Sequence, residues 1–84
     1  MEKLNLGNRK KVAIQDMGTA AALIVAGFEM ISLDKINPRK VLFIFQHAAD
    51  IDKKVDLYLA NKLDVKARAY WDTIRALKNR LYSE

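Results

Sequence analysis

The chain has 84 residues, of which 51% are hydrophobic and 30% are charged, with a net charge of +5 and no cysteine. This length allows one small globular domain, and the lack of cysteine excludes a disulfide framework and thiolate chemistry. The longest wholly apolar run, residues 20–26, is seven residues long, whereas a membrane span needs roughly 20. We therefore expect a single domain over residues 1–84, located in the cytoplasm and not in a membrane.

The cations are concentrated in three places. They lie in residues 1–12, at Arg39 and Lys40, and in residues 65–84. Clustered cations attract polyanions through counterion release, and a net charge of this size also keeps a small domain in solution. Both interpretations remain open from composition alone.

The first third of the chain predicts an arm, a strand and a helix. Residues 1–10 have no regular period and are expected to form an extended arm, whereas residues 11–15 alternate polar and apolar residues like a short strand. Asp16 can then cap a helix over residues 17–26, which Gly27 can end with a positive φ. This alanine-rich helix is apolar almost all round, which favours burial beneath the sheet; a self-association surface is the alternative.

The middle of the chain predicts a hairpin. Residues 28–33 resemble a strand, and residues 34–38 have turn chemistry in which Pro38 fixes φ. Residues 41–45 are apolar on both faces, which is typical of a central strand covered on two sides or flanked by another chain. We expect the first and second strands to flank the third in a split β-α-β arrangement.

The last part of the chain predicts two helices. Residues 48–61 form an amphipathic pattern that ends near Lys62, and Asp64 can cap a final helix over residues 65–84. The predicted fold class is therefore α+β, a three-stranded, mainly antiparallel sheet with two C-terminal helices in the order β-α-β-β-α-α. The expected core residues are Val12, Ile14, Leu23, Ile24, Phe28, Ile31, Val41, Phe43, Phe45, Ile51, Val55, Leu59, Tyr70, Ile74 and Leu77.

A pattern of packing and turn residues extends over roughly residues 12 to 80. It comprises residues 12–18, Ala20-Ala21, Ala26-Gly27-Phe28, the aromatic strand of residues 41–45, and the helix from Ala69-Tyr70-Trp71 to Leu77-Lys78. This pattern resembles a family of small proteins of unknown function found in bacteriophages and prophages. The resemblance implies a mobile-element origin but no activity. Family members often carry acidic residues after the aromatic strand, where this chain has Gln46-His47-Ala48-Ala49, so the resemblance does not support an acidic site there.

Enzyme chemistry finds little support in the sequence. His47 is the only histidine, and no serine lies in a G-x-S-x-G motif. Asp50, Asp52 and Asp56 are spaced for one side of a helix, but two lysines among them can neutralise their charge. The three glycines are too far apart for a phosphate-binding loop. We expect no catalytic residue, no cofactor and no metal site.

The last predicted helix carries the clearest binding candidates. At 100° per residue, Trp71, Lys78 and Tyr82 border the apolar stripe, with Arg68 and Arg75 just beyond them; we call these five residues the basic-aromatic strip. Aromatic side chains can stack on unpaired bases while arginines contact phosphates, and the same side chains can bind an acidic protein. An ordinary solvated face is the third interpretation. Further candidate contacts are Arg39 and Lys40, with Arg9, Lys10 and Lys11.

These observations predict a non-enzymatic, phage-type accessory protein that acts by binding a macromolecule. We favour protein–protein interaction, either self-assembly or interference with a host factor. Nucleic-acid binding through the basic-aromatic strip is the alternative, and neither a membrane nor a small-molecule substrate is expected.

Overall fold

The computed structural model describes residues 11–83, so the expected N-terminal arm, with Arg9 and Lys10, lies outside the described residues. The elements, in chain order, are β1 (Lys11–Ile14), α1 (Met17–Val25), β2 (Met30–Asn37), β3 (Lys40–Gln46), α2 (Ile51–Leu59) and α3 (Ala67–Tyr82). This order confirms the predicted α+β class and the sequence β-α-β-β-α-α.

The three strands form an antiparallel sheet in the order β1-β3-β2. Val12 of β1 and Met30 of β2 both lie opposite Phe45 of β3, on its two sides. The third strand in the chain is therefore the central one, and the split β-α-β arrangement is confirmed.

The hydrophobic core lies between the sheet and the helices. Phe43 and Phe45 of β3 are buried in it, and all three helices contribute to it. Leu42 and Ile44 alternate with the phenylalanines and are therefore on the opposite face, where they are only half-buried. The helices thus cover one side of the central strand; within residues 11–83 no second layer covers its other side. The buried cluster consists of Ala20, Ala21, Leu23, Phe43, Phe45, Ile51 and Leu77.

Helix α1 begins and ends with the residues that the sequence indicates. The Oδ2 atom of Asp16 accepts hydrogen bonds from the backbone N–H and the hydroxyl of Thr19, both at 2.8 Å. At the other end Gly27 has a φ of 105°, and the N–H of Phe28 donates to the carbonyl of Leu23, a Schellman ending. Because the alanines of α1 are packed against α2, α3 and the sheet and are mostly buried, they offer no exposed self-association face.

Strand β2 continues to Asn37, whereas the predicted strand ended at residue 33. The turn predicted over residues 34–38 is therefore wrong, because residues 34–37 belong to the strand. Two irregularities in the pairing with β3 leave Ile31 and Ile36 as extra residues. The turn itself is short, and the Oδ1 atom of Asn37 accepts a hydrogen bond of 2.8 Å from the backbone N–H of Arg39. As a bulge residue Ile31 is 41% exposed, so its assignment to the core is wrong.

The boundaries of the last two helices also differ from prediction. Helix α2 is confined to Ile51–Leu59, and Leu59 in its last turn is 69% exposed, so its assignment to the core is wrong. Asn61, with a φ of 61°, ends the helix and begins a loop. Because this loop continues to residue 66, Lys66 and not Asp64 occupies the N-cap position of α3, and no side chain caps it.

Candidate binding surface

The basic-aromatic strip lies on the solvent side of α3. Leu77 faces the core, with Tyr70 and Ile74 half-buried on the same side. Trp71 is 56% exposed and Tyr82 is 78% exposed. The sequence therefore predicted correctly which side of this helix faces the core, and both aromatic rings are accessible to a partner.

The three cations of the strip are also exposed. The Nε atom of Arg68 lies 3.7 Å from the Oδ2 atom of Asp72, one helical turn away, and both side chains are largely in solvent. Such an exposed pair contributes little and is readily exchanged for another anion. From Arg68 to Tyr82 the strip is about 21 Å long at 1.5 Å per residue, so it offers an extended surface on which two aromatic side chains lie among three cations.

The turn between β2 and β3 lies against the C-terminal end of α3. Arg39 and Lys40 line a cavity of about 410 Å³ together with Leu81. Pro38 and Leu81 also line a neighbouring cavity of about 250 Å³, to which Tyr82 contributes. The fold therefore brings the second basic cluster close to one end of the strip.

Lys11 is not brought to the turn that carries Arg39 and Lys40. It lies opposite Gln46, at the end of β3 that is far from Lys40. Six residues of strand separate these positions, which is about 20 Å. Lys11 therefore lies apart from the second basic cluster, Arg39 and Lys40.

Two tyrosines, of which the sequence predicted only that Tyr70 belongs to the core, form a polar contact between the three helices. The hydroxyls of Tyr58 and Tyr70 are 3.0 Å apart, and that of Tyr70 donates to the carbonyl of Gly18 at 3.3 Å. Burial, followed by the hydrogen bond to Tyr58 and the negative charge of Asp16, raises the pKa of Tyr70 to about 12. This contact holds the N-terminal half of α3, and so the orientation of the strip, against α1 and α2.

The loop that holds His47 and the contact between Tyr58 and Tyr70 are separate features of the described residues. His47 is exposed in the loop between β3 and α2, and the two tyrosines form no hydrogen bond to a histidine or a carboxylate. Within residues 11–83 no group of three histidine, cysteine or carboxylate side chains could hold a metal ion. Over the same range, no helix is long and apolar enough to cross a membrane.

The fold and the surface define a small α+β domain with a basic and aromatic face. A family model described as a domain of unknown function, DUF5659, matches residues 9–83, and the chain belongs to this family. This match confirms the part of the resemblance that concerns a family of unknown function. No curated protein and no solved structure matches the chain.

Proposed function

We propose that the chain is a non-enzymatic accessory protein of phage type that acts in the cytoplasm of a bacterial host by binding another protein. The observation that supports this most strongly is the exposure of Trp71 and Tyr82 on one strip with Arg68 and Arg75. Tryptophan, tyrosine and arginine are the residues that most often dominate the binding energy of protein interfaces. A single exposed aromatic residue is ordinary, whereas Trp71 and Tyr82, about 16 Å apart along the helix axis, give the strip two exposed rings with cations between them.

The charge of the strip favours an acidic partner. A second copy docked on the same strip would place cations against cations, which is unfavourable. A host protein with an acidic surface would satisfy both the arginines and the aromatic rings. We therefore favour a host factor over self-assembly for this surface.

A paired substitution tests the protein-binding proposal. Trp71→Ala with Arg75→Ala removes one ring and one cation from the strip, whereas Leu59→Ala with Lys53→Ala removes an exposed apolar and a cationic side chain from α2 as a matched control. We expect the wild type and the control to retain the same host protein in an affinity capture, and the strip variant to lose it. If the wild type retains no protein and elutes as a 9.6 kDa monomer, the proposal fails.

Nucleic-acid binding is the second candidate. Arg68, Arg75 and Lys78 are exposed beside Trp71, and a stacked base contributes about 1–3 kcal/mol in favourable cases. Genuine phosphate contacts make affinity fall steeply as the salt concentration rises. Fluorescence anisotropy with labelled single- and double-stranded DNA and RNA, at low and moderate salt, is expected to show this dependence. Absence of binding at micromolar protein in low salt would exclude the candidate.

A further inference from the structure

A groove runs between the C-terminal end of α3 and the turn from β2 to β3. Its two cavities, of about 410 and 250 Å³, share Pro38, Val41 and Leu81 in their lining. The larger one falls within the roughly 300–1,000 Å³ usual for ligand sites. Met17 and Phe43 complete its apolar floor. We call this surface the turn–helix groove.

The charges around the turn–helix groove are mainly positive. Arg39 and Lys40 are exposed at the larger cavity, and neither forms an ion pair with another of residues 11–83. Asp16 is the one carboxylate in the lining that the structure describes, and its Oδ2 atom already accepts two hydrogen bonds from Thr19. Within residues 11–83 the groove thus combines an apolar floor with a rim on which Arg39 and Lys40 have no ion-pair partner.

We infer that the turn–helix groove binds an extended acidic peptide segment with bulky apolar side chains, an inference that rests on the proposed protein-binding function. Alternate side chains of an extended peptide point to the same side about 7 Å apart, so two of them can enter the two neighbouring cavities, which share Leu81 in their lining. Because Arg39 and Lys40 are exposed at the rim and not in the floor, they can reach the carboxylates of the neighbouring residues. The charge of the rim selects an acidic segment over a basic one.

Labelled peptides test this inference on the full chain. The probe is a ten-residue peptide in which glutamate alternates with leucine and phenylalanine; in one control peptide lysine replaces glutamate, and in another serine replaces the apolar residues. We expect saturable binding of the probe by fluorescence anisotropy and at least about tenfold weaker binding of both control peptides. No saturable binding of the probe up to about 200 μM protein, or equal binding of either control peptide, would overturn the inference.

Variants locate the binding. Arg39→Glu with Lys40→Glu is expected to weaken probe binding about tenfold or more. The control, Lys53→Glu with Lys62→Glu, makes the same change in net charge on exposed residues outside the groove. It is expected to change the affinity for the probe less than about twofold. Equal losses in both variants would overturn the inference, because they would reflect net charge alone. If the host protein is still captured through Trp71 and Arg75 while the probe does not bind, the groove inference fails and the proposed function stands.

Discussion

At the scale of single residues, the phenol of Tyr70 links the stability of the fold to pH. Its pKa is raised from the usual value of 10 to about 12, so the folded state keeps a proton that the unfolded state releases. Below pH 10 both states are protonated, and the folded state keeps its full advantage. As pH rises from 10 towards 12, the unfolded state binds fewer protons and the free energy of unfolding decreases.

Substituting Tyr70→Phe is expected to remove this alkaline decrease. At neutral pH the variant loses the hydrogen bonds to Tyr58 and Gly18, at a cost of about 1 kcal/mol. Between about pH 9 and 11.5 its stability is expected to fall less steeply than that of the wild type, as measured by urea unfolding at several pH values. Tyr82→Phe, which changes an exposed ring, controls for loss of a phenol at neutral pH. Parallel curves for the wild type and Tyr70→Phe would contradict the assignment.

The space for a side chain at Gly18 is limited by the hydroxyls of Tyr58 and Tyr70. A Cβ at this position would lie 2.5 Å from the Tyr58 oxygen and 3.1 Å from that of Tyr70. Gly18→Ala is therefore expected to destabilise the wild type, since the tyrosine contact must be displaced. In a background with both Tyr58→Phe and Tyr70→Phe the two obstructing oxygens are absent, and alanine should instead stabilise α1 by about 0.5–1 kcal/mol. A mutant cycle measured by chemical unfolding would reveal this change of sign; additive effects would argue against it.

At the scale of elements, the end of α2 depends on a residue in the left-handed region. Asn61 has a φ of 61°, and the N–H of Lys62 donates to the carbonyl of Leu57 at 2.8 Å, which is a Schellman ending. Asn61→Ala is expected to lower the free energy of unfolding by about 1 kcal/mol, whereas Asn61→Gly should preserve or raise it. Gly27→Ala is a matched substitution at the end of α1, because Gly27 also has a positive φ and nothing lies within 4 Å of the added Cβ. Only the backbone conformation then opposes the alanine. Equal stability of the alanine and glycine variants at residue 61 would refute this account.

The elements that sequence could predict are those determined by local chemistry. Asp16 and Gly27 indicate both ends of α1 because capping involves only neighbouring residues. The length of β2 could not be predicted in this way, since its bulges at Ile31 and Ile36 depend on pairing with β3. Asp64 was a plausible cap by sequence, but the loop that follows Asn61 places Lys66 at that position.

At the scale of the whole molecule, the two candidate surfaces also differ in whether local sequence or long-range packing determines them. The basic-aromatic strip belongs to one helix, so its 3.6-residue period was enough to predict which side chains are exposed. The turn–helix groove and the Tyr70–Gly18 hydrogen bond join residues far apart in the chain. Their formation depends on how α3 packs against α1 and on where the β2–β3 turn lies, which no local pattern specifies.

The two faces of β3 provide a test of the whole architecture. Phe45 is fully buried between the sheet and the helices, whereas its neighbour Ile44 lies on the face without a described covering layer. Phe45→Ala is expected to lower the free energy of unfolding by about 3–5 kcal/mol, which approaches the total stability of a small domain. Ile44→Thr keeps a β-branched side chain in the strand and should cost about 1 kcal/mol or less. Urea unfolding followed by circular dichroism measures both. A large loss at residue 44 would mean that a further layer covers the outer face, and light scattering on the wild type would show whether a second molecule supplies it.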